Sequence, residues 1–170
     1  MGNRANVMFL GDDGHAEANV YLHWNGGPES IYAFLAECVR RKARTHDPVY
    51  LAGTFVPVVR QMFDEKEYTT LSLGIQRAPS VLVFKEGKLF NTAIIPDYCP
   101  GDNGIYFVYY MEGSPIPHLN GLMVERYRGE FLPRAEVLRE YFEATTSHQY
   151  SEIRKFYTVA ETVLFGKKAA

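Results

Sequence analysis

A chain of 170 residues suits one domain with a full core, and 46% hydrophobic with 14% aromatic residues supply the apolar surface to bury, which excludes a disordered chain. The formal net charge of -2 produces no global field that would attract nucleic acid or anionic lipid, so neither is an expected partner. No run approaches the ~18 apolar residues of a membrane span, and the N-terminus lacks the apolar stretch of a signal peptide. We therefore expect a cytoplasmic protein whose two cysteines are reduced.

The first part of the chain predicts a β-hairpin. Residues 5–10 are apolar and β-prone, Asp13 and Gly14 match the preference of a type I′ turn, and residues 18–24 alternate as a second strand. Because side chains alternate along a strand, one face is expected to be core. The core face would carry Ala18, Val20, Leu22 and Trp24, and the opposite face Asn19, Tyr21 and His23.

Two helices are expected to follow this hairpin. Gly27 can serve as the N-cap of the first, with Pro28 at the first helical position, where its missing N–H costs nothing. An apolar stripe at three- and four-residue steps predicts the buried face, and charged residues are expected outside. The stripe consists of Ile31, Phe34, Leu35, Cys38 and Val39, and the outer residues are Glu37, Arg40, Arg41 and Arg44. Residues 47–48 repeat this start for a second helix reaching residue 62, with a kink expected at Pro57.

The second half of the chain predicts further strands and two more helices. The expected strands cover residues 69–75, 81–84, 89–95, 105–111 and 122–127, and the expected helices cover residues 134–144 and 150–165. Hairpins favour antiparallel pairing. The sequence therefore predicts a single α+β domain at residues 1–166, with a mostly antiparallel sheet of roughly five to seven strands and about four helices packed mainly on one face. Residues 167–170 are expected to form a frayed tail.

Four segments of the sequence resemble a known group of proteins. They are NRANV at residues 3–7, VYLHWNGGP at residues 20–28, LSLG at residues 71–74, and GDNG at residues 101–104 followed by Ile105 and Tyr106. In these segments the chain resembles small, largely uncharacterised proteins carried by phages, plasmids and integrative elements. The resemblance implies a mobile-element context, in which accessory proteins often inhibit host defence, as anti-CRISPR proteins do. It implies no catalytic residues.

The corner between the second strand and the first helix is the leading candidate binding site. Gly26 and Gly27 precede a helix N-terminus whose free N–H groups can bind an anion. His23, Trp24 and Asn25 lie immediately beside these glycines in the sequence. Consecutive glycines followed by proline are equally what a tight strand-to-helix corner requires, so the motif alone does not establish a ligand.

The loop at Asp102 and Asn103 is the second candidate, because a carboxylate and an amide between glycines can close over that corner. The same residue types are preferred in ordinary turns. Neither cysteine has a neighbouring histidine, and the five histidines show no metal-binding spacing, so we expect no catalytic residue, metal or cofactor. The basic run at residues 40–44 could contact phosphates, but no aromatic series accompanies it in the sequence, and a solvated helix face is the preferred interpretation.

Two classes of function remain. The preferred one is a protein that binds a protein partner, using exposed aromatic side chains such as Tyr21, Trp24 or Tyr109 as anchors. The alternative is a small enzyme or a nucleotide- or anion-binding protein, with its site at the corner and the 102–103 loop. The aromatic excess and an apolar stripe on the last helix also favour a homodimer.

Overall fold

The computed structural model describes residues 3–62, 73–79, 84–85, 88–89, 102–114, 116 and 118–127 of the chain. These residues contain helices α1 (Pro28–Arg40) and α2 (Pro48–Met62) and strands β1 (Ala5–Leu10), β2 (Ala16–Leu22), β3 (Leu73–Gln76), β4 (Phe84–Lys85), β5 (Lys88–Leu89), β6 (Ile105–Tyr110) and β7 (Leu122–Tyr127). Five strands form one sheet in the order β3-β2-β1-β6-β7, and β4 pairs with β5 in a separate two-stranded sheet. In this part of the chain, no helix is long and apolar enough to cross a membrane.

The main sheet is mostly antiparallel, as predicted for an α+β fold. β2 pairs antiparallel with both β1 and β3, and β6 pairs antiparallel with β7. The central pair of β1 with β6 is parallel, with Val7 opposite Tyr106. The second predicted hairpin is present as β4 and β5, outside the main sheet. The helices expected at residues 134–144 and 150–165 and the tail at 167–170 lie outside the described residues, so the structure supports two of the expected helices.

The turn between β1 and β2 is of a different type from the one predicted. Gly14 has a φ of 82°, but Asp13 is not among the residues with positive φ, so the turn is not of type I′. The N–H of Gly11 donates to the carbonyl of His15 at 2.9 Å, and the N–H of His15 donates to Oδ1 of Asp13 at 3.0 Å. The aspartate side chain thus takes part in the turn, and β2 begins at Ala16 rather than at residue 18.

Helix α1 begins at Pro28 as predicted but is buried more completely than its sequence pattern indicates. Every residue from 30 to 38 is buried, and Glu37 is only 1% exposed. The Glu37 carboxylate accepts hydrogen bonds from Nε of Arg40 at 2.6 Å and from Nε of Arg41 at 2.8 Å. The prediction that Glu37 and Arg40 lie on the outer face is therefore wrong, because two guanidinium groups compensate the carboxylate and permit its burial.

The main hydrophobic core lies between the sheet and the two helices. Phe9 of β1 and Phe34 of α1 each meet Phe55 of α2 edge to face, with ring centroids 5.3 Å and 5.7 Å apart. Such pairs contribute ~0.5–1.5 kcal/mol beyond the burial of their area. Cys38 is fully buried in the same core, as predicted for a small apolar residue. Pro57 lies inside α2 without ending it.

The second face of the sheet is buried as well. Its apolar core consists of Met8, Leu10, Ala16, Ile105 and Phe107. Asn19 belongs to this face and is 0% exposed. The two edges of the sheet differ, because residues 122–126 of β7 are buried whereas Ile75 of β3 is 70% exposed. β3 is therefore the more accessible edge.

Candidate functional site

A tight corner at residues 23–27 joins β2 to α1. Because β2 ends before the corner, Trp24 does not continue its core face as predicted, and this residue is 40% exposed. Asn25 has a φ of 57°, in the left-handed region that asparagine adopts more readily than most residues. A Cβ at Gly26 would lie 2.6 Å from the Cβ of Ala5, so glycine allows the corner to approach β1 this closely.

Three ring-bearing side chains, Tyr21, His23 and Trp24, form what we call the corner cluster. Oη of Tyr21 lies 2.9 Å from Nδ1 of His23. The imidazole of His23 packs edge to face against the indole of Trp24, with ring centroids 5.1 Å apart and an interplanar angle of 82°. Tyr21 and His23 are half-buried, so they support an indole that is itself exposed. A supported and exposed indole is suited to apolar recognition.

The second predicted site, Asp102 and Asn103, is bonded to the residues just before β1. Arg4 donates to Oδ2 of Asp102 from its backbone N–H at 3.1 Å and from Nε at 2.8 Å. These hydrogen bonds hold the pKa of Asp102 below its ordinary value. The N–H of Asn103 donates to the carbonyl of Arg4 at 3.0 Å, and Nδ2 of Asn103 donates to Oδ1 of Asn3. The carboxylate and the amide therefore fasten this loop to residues 3–4.

The corner and this loop meet at the same end of the sheet. The N–H of Gly26 donates to the carbonyl of Asn3 at 2.7 Å, and Oη of Tyr106 donates to the carbonyl of Gly26 at 2.9 Å. Arg126, which is 3% exposed, donates to Oδ1 of Asn103 at 2.8 Å and to its carbonyl at 3.0 Å. The fold thus brings together two candidate sites that are remote in sequence, and residues 3–4 lie between them.

Within this network, the polar groups that were expected to bind a ligand are bonded to one another. Asp102 is paired with Arg4, and Gly26 and Gly27 are buried. Gly27 caps α1 without a side-chain hydrogen bond, and its carbonyl accepts the N–H of Ser30 at 3.1 Å. Gly26, Gly27, Asp102 and Asn103 therefore have architectural roles, and Trp24 of the corner cluster is exposed, whereas Asp102 and Asn103 are half-buried. Ligand binding at any of these residues stays a prediction.

Other reactive side chains do not assemble into a catalytic set among the described residues. No group of three or more His, Cys, Asp and Glu side chains there is arranged to hold a metal ion. Burial raises the pKa of the Cys38 thiol, which keeps the sulfur protonated and weakly nucleophilic. Oη of Tyr109 donates to Oε1 of the buried Glu125 at 2.8 Å. Tyr109 is therefore engaged with the interior and is less suited than Trp24 to anchor a partner.

The sequence pattern did not reveal that Asn19 is a buried polar residue. Asn19 lies opposite Met8 in the sheet, and neither Nδ2 nor Oδ1 of its side chain has a hydrogen-bond partner in the described part of the chain. The alternation of side chains along β2 correctly predicted that Asn19 lies on the face of the sheet away from the helices, but that face is not exposed. The available signal was β1, whose six residues are nearly all apolar, which is typical of a strand buried on both faces.

A comparison of this chain with protein-family models, with curated proteins and with solved structures finds no match. The resemblance to proteins of mobile elements rests on the four sequence segments and stays a prediction.

Proposed function

We propose that this protein binds a protein partner through the corner cluster and that it is an accessory protein of a mobile element. Inhibition of a host defence system, such as CRISPR, is the proposed consequence of that binding. The resemblance in the segments around Trp24 and Asp102 supports the mobile-element context. The role as a binding protein rests on the exposed indole of Trp24 and on the way the corner holds it.

Trp24 has the properties of an interface anchor. Tryptophan and tyrosine dominate the residues whose truncation most weakens protein complexes. The indole packs against His23. The corner behind it is fixed by two hydrogen bonds of Gly26, one to the backbone of Asn3 and one from the hydroxyl of Tyr106. Because the corner is already ordered, binding through Trp24 loses less conformational entropy than binding through a flexible loop. This is the observation that carries the proposal.

The alternative, a nucleotide- or anion-binding protein, has one observation in its favour. The glycines of the corner and the loop at Asp102 lie at the same end of the sheet. However, the two positive groups in contact with that loop are already engaged. Arg4 is paired with the Asp102 carboxylate, and Arg126 donates to Asn103. An anion would have to displace that carboxylate, which disfavours this alternative.

Affinity capture from a bacterial lysate tests the proposal when it is run with matched variants. Trp24→Ser removes the anchor, and Ile75→Ser is the control, because Ile75 is another exposed apolar residue, 70% exposed on β3. We expect one protein to be retained by the wild type and by Ile75→Ser and to be lost from Trp24→Ser. Retention that is unchanged in Trp24→Ser would overturn the role of the corner cluster.

Thermal-shift screening against nucleotides, cyclic nucleotides and metal ions separates the two functions. A ligand at a hundred times its Kd stabilises the folded state by ~2.7 kcal/mol, so its binding is visible as a higher Tm. The proposed function predicts no such shift. A shift that a nucleotide produces and that is larger in Asp102→Asn, where Arg4 is no longer paired with a carboxylate, would support the alternative instead. Light scattering at micromolar concentration tests the predicted homodimer separately.

A further inference from the structure

The basic run at residues 40–44 divides into two parts in the structure. Arg40 and Arg41 donate to the buried carboxylate of Glu37. Lys42 and Arg44 are exposed, and neither forms an ion pair with a carboxylate in the described part of the chain. Two cations of the run are therefore paired with a buried carboxylate, and the other two are exposed without such a pairing.

The turn that carries these two cations is well ordered. Lys42 has a φ of 60°, the left-handed conformation that often ends a helix. The N–H of Lys42 donates to the carbonyl of Val39 at 2.9 Å, and the N–H of Ala43 donates to the carbonyl of Cys38 at 3.0 Å. These two bonds satisfy the carbonyls of Val39 and Cys38 in the last turn of α1. The cations are thus presented from a fixed backbone rather than from a free tail.

Aromatic rings accompany the surface cations in space, although the sequence run contains none. The guanidinium carbon of Arg44 lies 4.5 Å from the centroid of the Tyr50 ring, within the range of a cation–π contact. The ring of His46 packs against that of Tyr110 in a tilted arrangement, with centroids 3.6 Å apart and an interplanar angle of 35°. Val49 and Tyr50, in the first turn of α2, are 54% and 58% exposed. The expectation of a plain solvated helix face therefore does not describe this region.

We propose that this surface, formed by Lys42, Arg44, His46, Val49 and Tyr50 and called here the basic-aromatic surface, binds a segment of a protein partner that carries carboxylates beside apolar side chains. The inference rests on the proposed function for the class of partner and adds the chemistry by which the partner is recognised. Arg44 provides a planar donor group for a carboxylate. Val49 and the free parts of the Tyr50 ring provide the apolar contact.

The charge of the surface favours an acidic protein segment over nucleic acid. Lys42 and Arg44 contribute two positive charges and Asp47 one negative charge, so residues 42–50 carry +1, within a chain of net charge -2. Affinity for nucleic acid comes largely from the neutralisation of several phosphates by Lys and Arg, and two cations supply little of it. Arginine and tyrosine, by contrast, are among the residues most enriched at protein interfaces. The exposed side chains of Val49 and Tyr50 add the apolar contact that a protein interface requires.

Fluorescence anisotropy with a labelled peptide of alternating glutamate and phenylalanine tests this inference on the full chain. The same peptide with lysine in place of glutamate is the charge control, and labelled oligothymidine is the nucleic-acid arm. We expect the acidic peptide to bind best and to bind about tenfold more weakly to Arg44→Gln and to Tyr50→Ser. Arg77→Gln, which changes an exposed arginine next to β3, should bind the peptide as the wild type does.

The outcomes separate this inference from the proposed function. Trp24→Ser should bind the acidic peptide as the wild type does, because Trp24 belongs to the corner cluster and not to the basic-aromatic surface. The result of the peptide assay therefore does not depend on the result of the capture experiment. Equal peptide binding by the wild type and Arg44→Gln, with unchanged Tm, would overturn the basic-aromatic surface as a protein site. If oligothymidine binds more tightly than the acidic peptide and this binding is lost in Arg44→Gln, the surface is a nucleic-acid site and the inference is overturned.

Discussion

Replacing Asn19 by valine should stabilise the protein. Asn19 is 0% exposed in β2, and both polar atoms of its side chain lack a hydrogen-bond partner in the described part of the chain. A buried polar group without a partner costs ~1–3 kcal/mol, because it has lost its bonds to water and gained none in return. Valine removes that cost, and its branched side chain suits a strand position.

The expected gain in the free energy of unfolding is large enough to measure. Valine has one fewer side-chain heavy atom than asparagine, but its two methyl groups are bulkier than the amide oxygen and nitrogen, so the side chains near Met8 must adjust slightly. That adjustment offsets part of the gain. We therefore expect the free energy of unfolding to rise by about 1–2 kcal/mol, and Tm to rise by ~2–4 °C for each kcal/mol in a protein of this size.

Urea unfolding at neutral pH measures the change, with Asn19→Asp as the control. The aspartate has nearly the same shape but places a charge in the interior, so it should lower the free energy of unfolding. A valine variant that is less stable than the wild type by more than about 1 kcal/mol would refute the reasoning. That result would mean that the Asn19 amide binds an ordered water or a ligand in solution.

Other predictions concern the core, the buried carboxylate and the loop network. Phe34→Ala should lower the free energy of unfolding by ~3–5 kcal/mol, as measured by denaturant midpoints, because it leaves a cavity beside Phe55; a loss below ~1 kcal/mol would mean that the ring is not in the core. From the sequence, Arg41→Ala is expected to be nearly neutral. In the structure it removes one cation from the buried Glu37, so it should lower the free energy of unfolding by about 1–2 kcal/mol in the same assay. A loss no larger than that of an ordinary surface substitution would contradict this. Asp102→Asn should lower Tm at neutral pH. Because the folded-state pKa of Asp102 is depressed, its contribution is present above the ordinary pKa of 3.8 and is lost as the pH falls through the lower folded value. The Tm difference from the wild type should therefore shrink in acid, and a difference that is constant with pH would exclude an ionic role.

The features that could be predicted from sequence are those set by near neighbours in the chain. The start of α1 follows from Gly27 and Pro28, and the antiparallel pairing of β1 with β2 follows from their short connection. The type predicted for the turn at Asp13 was wrong. In the structure the Asp13 side chain accepts the N–H of His15, a hydrogen bond that the sequence preference of a two-residue turn does not include.

The features that could not be predicted depend on residues that are distant in sequence. The parallel pairing of β1 with β6 places Val7 beside Tyr106, and no hairpin signal encodes it. The burial of Glu37 likewise follows from packing around α1, since the helical pattern only identifies which face carries charges. The meeting of the corner with the 102–103 loop was expected in outline, but the roles of Arg4 and Arg126 in it were not.

The way polar groups are used in this fold bears on its chemistry. Arg4 and Asp102 neutralise each other, Glu37 is held by two arginines, and Tyr109 donates to Glu125. Acid–base and nucleophilic catalysis require such groups to be available to a substrate, and here they bond to other parts of the protein. In contrast, Trp24 lies exposed on an ordered turn. An ordered backbone with an exposed aromatic side chain reduces the entropy lost on association, and that advantage serves binding to a partner whether or not any chemistry follows.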